Sequence, residues 1–225
     1  NTMQRAETQR GCGFSCSFCQ HRNATGGVER VAQTRVFDDL RWLVETGTAR
    51  INLVDPTFNS TSAHAVTTLD ALSAFCSTSG ASPVVTLQTR PEKINRSFLD
   101  AIERCSAKVV LECGVQTAVP AELEVIGRMK GGVDAHAVAK KVTEKLALVR
   151  ERGIDFEISL IYGLPRQTLD SFRVSLDWAR KTGASRVAAY PLMLLRGTEM
   201  HRRRYALGLR EALTPRPASD DGRLQ

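Results

Sequence analysis

The chain has 225 residues, more than one small core needs and fewer than two comfortable domains take, so a single domain is expected. Its 42% apolar and 24% charged residues exclude disorder, a collagen-like repeat and a disulfide miniprotein, and no apolar run reaches the ~20 residues of a membrane-spanning helix. The net charge of +7 permits attraction to anions without indicating nucleic acid. No charged-then-apolar signal segment opens the chain, so a cytoplasmic protein is expected. A start on Asn1 suggests a chain processed, or cut from something longer.

In chain order, the first β-rich run is Met3 to Gln9. A Gly- and Ser-rich loop follows and carries Cys12, Cys16 and Cys19. Further strands are expected at Ile51 to Asp55, Val84 to Thr89, Lys108 to Cys113, Asp155 to Tyr162 and Arg186 to Leu192, with helices between them. Two helices are clearest: Ala135 to Arg152, with Val138, Val142, Leu146 and Val149 on one stripe, and Thr168 to Thr182, with Leu169, Phe172, Leu176 and Ala179. Gly153 and Gly183 stand where C-terminal caps belong. The segment with Arg196, Arg202, Arg203, Arg204 and Arg210 reads as a solvated helix face, and Thr214 to Gln225, rich in Pro, Asp and Ser, as a linker or frayed tail.

Six strands alternating with helices predict a parallel α/β sheet, either an open doubly wound sheet or a full or partial barrel. No Gly-x-Gly-x-x-Gly turn follows the first strand, which weakens the dinucleotide-binding version. Strand parity adds a constraint, since side chains alternate faces. Thr86, Gln88 and Arg90 share a face, as do Glu112, Gly114 and Gln116, and Glu157, Ser159, Ile161 and Gly163. The opposite faces carry Val85 and Leu87, then Val109, Leu111 and Cys113, then Phe156, Ile158 and Leu160. A lumen holding a polar ligand predicts this pattern; polar groups satisfying one another in a packed interior are the alternative.

Three cysteines crowded into eight residues argue for a metal site in a reducing compartment. Three thiolates on a compact loop ligate three irons of a cubane cluster and leave the fourth iron open. Zinc would want a fourth ligand, for which His21 is awkwardly close to Cys19. Cys76, Cys105 and Cys113 sit in apolar contexts and read as core. His64, His136 and His201 lie at no metal-ligand spacing, and His21 and Arg22 read as surface residues. Glu157 needs a cation such as Arg90 or a substrate contact. Tyr190 stands where it donates a hydrogen atom to a substrate radical, stacks on a base, or merely packs.

C-x3-C-x2-C with Phe18 before the last cysteine resembles the signature of the radical S-adenosylmethionine (SAM) superfamily. The resemblance implies a partial (β/α)6 TIM-like barrel with parallel strands, a 4Fe–4S cluster on Cys12, Cys16 and Cys19, and SAM chelated by the open iron and cleaved reductively. The stretch Leu53-Val54-Asp55-Pro56-Thr57-Phe58-Asn59 stands where the superfamily's carbonyls accept from the SAM amino group. Leu111-Glu112-Cys113-Gly114-Val115-Gln116-Thr117 is similar to an E-x-G-x-Q-S/T element of the oxygen-independent coproporphyrinogen oxidases, methylthiotransferases and cobalamin-dependent members. By that likeness Gln116 and Arg128 point at the SAM ribose and carboxylate, and Gln88 stands where the oxidases carry a ribose-binding Glu. Ser159-Leu160-Ile161-Tyr162-Gly163-Leu164-Pro165 is similar to D-x-I-x-G-L-P, with Ser159 replacing the Asp, and Pro191 to Glu199 to a P-x5-G-T segment.

By overall appearance the cobalamin-binding subgroup is most similar, and in it a separate N-terminal domain carries cobalamin. Too few residues precede Gly11 to hold such a domain. The expected organisation is a catalytic core over 1–212 and a linker or tail over 213–225. The resemblance implies a reductant such as flavodoxin or ferredoxin and an organic substrate. Two alternatives remain: a cobalamin methyltransferase that uses SAM without radical cleavage, and a cluster-bearing redox or interaction module without SAM chemistry.

Overall fold

The computed structural model describes residues 3–21, 27–128 and 134–211. The expected tail over 213–225 and Arg22 lie outside the described residues. The chain begins with β1 (Met3–Ala6) and a short antiparallel pair, β2 (Gln9–Arg10) and β3 (Glu29–Arg30). It continues through α1 (Gln33–Glu45), β4 (Arg50–Leu53), α2 (Ser62–Ser79), β5 (Val84–Thr89), α3 (Arg96–Glu103), β6 (Lys108–Gln116) and α4 (Pro120–Val125). The remaining elements are α5 (Ala135–Glu151), β7 (Asp155–Tyr162), α6 (Leu169–Lys181), β8 (Arg186–Pro191) and α7 (Glu199–Arg202).

Six strands form one parallel sheet in the order β1-β4-β5-β6-β7-β8, so each strand pairs with its successor in the barrel series and β1 and β8 are the free edges. This is the open, partial (β/α)6 barrel. Every connection is a crossover through a helix or helix-bearing segment, which parallel neighbours require. The apolar faces predicted by parity form the core: Val85, Leu87, Val109, Leu111, Cys113, Phe156, Ile158 and Leu160 are all buried against the helices.

The helices follow from their apolar stripes and their ends. In α1, Val36, Leu40, Leu43 and Val44 fall on one face and are buried, and α5 buries the predicted Val138, Val142, Leu146 and Val149. Thr61, Asn95 and Asp134 cap α2, α3 and α5 by accepting from backbone N–H groups of the first turn. Thr168 and Ser171 form a reciprocal capping box on α6. Gly80, at φ +71, closes α2 in the left-handed region.

Several boundaries differ from the sequence expectation, among them the end of β4 at Leu53 rather than Asp55. The first strand stops at Ala6, because the Thr8 and Gln9 N–H groups leave the ladder to donate to the Asp55 carboxylate. The fourth barrel strand continues past Cys113 to Gln116, with a register shift between Gly114 and Gln116. The arginine-rich segment is a four-residue helix followed by turns rather than a long helix face, and Arg202, Arg203 and Arg204 bond to Gly197, Glu199 and His201 of the same segment. Among the described residues no helix is long and apolar enough to cross a membrane.

Candidate active site

The cysteine loop leaves the antiparallel β2–β3 ribbon at the C-terminal end of the barrel strands. Its conformation is fixed by backbone contacts to distant elements. Ser17 N–H donates to the Ile126 carbonyl at 2.8 Å, and the Ser17 carbonyl accepts from Met200 N–H at 2.8 Å. Gln20 Nε2 donates to the Arg196 carbonyl at 2.9 Å. Gly127, at φ +63, lies so close that a Cβ there would stand 3.1 Å from the Ser15 carbonyl oxygen, so the loop's seat requires glycine for both conformation and space.

Asp55 anchors the loop's entry. Its fully buried carboxylate accepts from Thr8 N–H at 2.7 Å and from Gln9 N–H and the Thr8 hydroxyl, which in turn sits 2.7 Å from His64 Nε2. Burial raises the Asp55 pKa, and the Thr8 and Gln9 hydrogen bonds oppose that rise. Burial likewise lowers that of His64, helped by Arg30. The Gln9 amide donates to the Thr57 carbonyl at 2.6 Å, which joins this entry segment to the end of β4.

A cavity of about 390 Å³, within the range of small-molecule sites, opens over the strand ends. Cys12, Cys16, Cys19 and Phe18 form one wall, and Pro56, Thr57, Gln88, Glu112, Gln116, Arg128 and Ser159 approach from the strands. Tyr190 stands at its mouth, 48% exposed. Gln116 adopts φ +69, uncommon for a residue with a side chain. Its amide folds back over Gly114, where a Cβ would come within 3.0 Å of Nε2. The register shift and the glycine together aim this side chain at Arg128, whose Nη1 donates to Gln116 Oε1.

Behind the cysteine wall lies a buried charge network. Glu92 receives Arg90 on one oxygen at 2.6 Å and Arg128 on the other at 3.4 Å. Burial alone would raise the Glu92 pKa, but Arg128 and Arg90 outweigh it and hold the carboxyl below its ordinary value. Arg128 is lowered by burial, only partly offset by Glu92. Arg90 Nη1 donates to Cys16 Sγ at 3.4 Å, and Cys12 Sγ lies 3.6 Å from the Thr57 hydroxyl. Deeper in the lumen, Glu112 is raised first by burial and then by Glu157 beside it on β7.

The donor chemistry fits an iron–sulfur cluster: three cysteines of one loop line one cavity, with a cation against one sulfur. Among the described residues no group of three or more His, Cys, Asp or Glu side chains gathers as ligands to one ion would; thiolates on separate cubane irons need no such convergence. Cys113 and Cys76 are core, their thiols pushed by burial to about 12 and about 11 respectively.

Of the residues singled out in the sequence, Asp55 and Gly163 do not line the cavity. The Asp55 carboxylate is consumed by Thr8 and Gln9. Gly163, at φ +84, donates its N–H to Gln167 Oε1 in the turn after β7. The expected Glu157–Arg90 pair does not form. Glu157 meets Arg186 on the adjacent strand at 3.5 Å, while Arg90, past the end of β5, turns to Glu92 and Cys16. Glu92, Phe14 and Gly127 were not legible as site residues, since each acts through a contact remote in sequence. His21, expected on the surface, is exposed and also lines the cavity.

A sequence model described as the radical SAM superfamily matches residues 6–179. The chain is 25% identical over 198 residues to the ribosomal protein uS12 methylthiotransferase RimO of Pseudothermotoga lettingae, a match covering 84% of this chain and 44% of RimO. The radical SAM methyltransferase TsrM of Kitasatospora setae superposes with a TM-score of 0.77 at 20% identity, covering 94% of this chain and 40% of TsrM. TsrM is described with tryptophan substrate and a SAM analogue, and with cobalamin and a 4Fe–4S cluster. Coproporphyrinogen III oxidase HemN of Escherichia coli superposes with a TM-score of 0.58 at 17% identity, over 86% of this chain and 45% of HemN. The two structural likenesses show the fold alone. The chain spans less than half the length of each of these three proteins.

Proposed function

The chain belongs to the radical SAM superfamily, and from that premise we propose that residues 1–212 are the catalytic core of an enzyme whose Cys12, Cys16 and Cys19 hold a 4Fe–4S cluster beside SAM. When bound, the reduced cluster supplies one electron that cleaves a carbon–sulfur bond of SAM, giving methionine and a 5'-deoxyadenosyl radical that takes a hydrogen atom from substrate. The observation that carries this reading is one cavity that joins the three cysteines of the loop to Gln116 and Arg128.

The roles of this chain's residues follow from their positions. Pro56 and Thr57 line the cavity after β4; the Pro56 carbonyl, which accepts from the Thr57 hydroxyl, keeps a second lone pair suited to an ammonium group, whereas the Thr57 carbonyl already accepts from Gln9 Nε2 and Ser60 N–H. Arg128 offers a guanidinium to a carboxylate, with Gln116 positioning it and Glu92 holding it from behind. Gln88, Glu112 and Ser159 offer amide, carboxyl and hydroxyl groups to ribose oxygens, and Phe18 closes the loop side. Asp55 acts only by fixing the loop's entry, and Gly163 only by allowing the turn beside the cavity. Tyr190 at the mouth serves as hydrogen-atom donor or as a stacking surface for substrate. A cytoplasmic one-electron carrier such as flavodoxin or ferredoxin supplies the reductant.

A second reading is cobalamin-dependent methyl transfer, with a cobalamin domain elsewhere in the full protein and 213–225 as a linker. It is favoured by the likeness to TsrM and by the exposed Tyr190 and Met193 at the cavity's edge, a rim suited to a large planar group. Product analysis after anaerobic reconstitution tests both. Dithionite with SAM is expected to give 5'-deoxyadenosine. S-adenosylhomocysteine without deoxyadenosine supports polar methyl transfer instead, and neither product sinks the SAM chemistry.

A further inference from the structure

We propose that Arg90 is a positioning residue that raises the reduction potential of the cluster by holding a buried guanidinium N–H on Cys16 Sγ. The inference rests on the assignment of Cys16 as a cluster ligand, and goes beyond it by giving a role to a side chain 74 positions away.

Arg90 is held on every side. Its backbone is clamped to buried Asn59 by a reciprocal pair, Arg90 N–H to Asn59 Oδ1 at 3.0 Å and Asn59 Nδ2 to the Arg90 carbonyl at 3.0 Å. Its guanidinium donates from Nε to Glu92 Oε1 at 2.7 Å, from Nη2 to the Arg128 carbonyl at 3.2 Å, and from Nη1 to Cys16 Sγ at 3.4 Å. The Phe14 ring covers one face at 3.6 Å. A side chain so committed does not swing out to meet a substrate anion; the edge left for the cavity is the one turned to sulfur.

The charge balance gives this contact its consequence. Arg90 and Arg128, both nearly buried, share the single carboxylate of Glu92, so one net positive charge remains beside the loop. Adding an electron to a cluster makes it and its thiolates more negative. A fixed donor and a cation at one sulfur therefore stabilise the reduced form more than the oxidised one, and in a buried site this preference is weakly screened. A merely structural Arg90–Glu92 pair would alter stability and leave the potential where it was.

Wild type, Arg90→Gln and Arg90→Lys are compared after anaerobic reconstitution by iron content and by a redox titration followed by electron paramagnetic resonance, with SAM absent. Arg90→Gln is expected to keep its iron and to shift the reduced-to-oxidised ratio about tenfold toward oxidised at fixed potential, a fall of about 59 mV for one electron. Arg90→Lys, which keeps the charge and loses the fork, is expected to fall between. Wild type without iron overturns the cluster reading and this proposal with it. Variants with iron and an unmoved potential overturn this proposal alone, as does a folded Arg90→Gln that takes up no iron. Where Arg90→Gln does not fold, Arg90→Lys is read in its place: a ratio shifted at least about twofold supports the role, and an unchanged one contradicts it.

Discussion

Replacing Glu92 by Gln removes the one carboxylate shared by Arg90 and Arg128 while keeping its shape. The three side chains are 14%, 7% and 4% exposed respectively, so the two cations left behind have almost no access to water. Removing one member of a buried pair costs about 3–5 kcal/mol; Gln retains an acceptor oxygen, which places the expected loss near ~3 kcal/mol. For a chain of this length that corresponds to a fall in melting temperature of about 6–12 °C. The pH dependence carries a sign. Arg128 and Arg90 hold Glu92 below its ordinary value of 4.5 against the opposing effect of burial. Its contribution is therefore complete above 4.5 and lost as pH falls through the lower folded value. Thermal melts under argon are expected to show a constant gap between wild type and Glu92→Gln above that pH and a closing gap below it. The control is Glu144→Gln, which breaks an exposed i,i+4 pair with Lys140 and should cost less than about 0.5 kcal/mol. A Glu92→Gln melt within ~2 °C of that control refutes the reasoning.

Gly127→Ala forces a left-handed residue to carry a Cβ 3.1 Å from the Ser15 carbonyl; a strain of about 1–2 kcal/mol and reduced iron uptake are expected, and normal iron with an unchanged melt contradicts the seat described for the loop. For Glu112 the sign is opposite to that of Glu92. Burial and then Glu157 raise its pKa, so ionising it costs stability as pH rises from 4.5 through the folded value. Glu112→Gln should match wild type in acid and exceed it near neutrality, and equal gaps at both pH values would sink this account. Gln116→Ala removes the partner that orients Arg128; calorimetry is expected to show SAM affinity about tenfold weaker, the loss of roughly one hydrogen bond, with iron content unchanged. Unchanged affinity favours a cluster-bearing module without SAM chemistry.

Much of the fold was legible because its signals are local. The strands Val84–Thr89 and Asp155–Tyr162 have the bounds their alternation predicted, and α5 buries the predicted stripe. The polar face read from parity became the cavity wall at Gln88, Glu112, Gly114, Gln116 and Ser159. Helix α2 gave a weaker signal, since Ala, Ser and Thr dominate it and its buried face includes only Ala65, Thr68, Leu69, Leu72 and Cys76. What stayed hidden depends on chain crossings no periodicity encodes. Arg90 belongs to the same strand parity as Gln88, yet it lies beyond the strand end, where the turn Pro91–Lys93 and the Asn59 clamp redirect it. Asp55 lies in the segment whose backbone carbonyls were expected at the ligand, and the job of its carboxylate, accepting the N–H groups that lead into the cysteine loop, has no signal in the sequence. Glu122 was silent in the sequence for a similar reason: it is buried among Thr117, Gln167 and Ser171, which donate to it from β6's end and from the approach to and first turn of α6.

The central claim is that Cys12, Cys16 and Cys19 carry a cluster with one iron open to SAM. Anaerobic reconstitution with iron analysis and electron paramagnetic resonance, before and after SAM is added, tests it most directly. The account predicts about four irons per chain, a spectrum of the reduced cluster that changes when SAM binds, and loss of both iron and signal in Cys16→Ala. Full iron content in Cys16→Ala, or a wild-type spectrum indifferent to SAM, would contradict it.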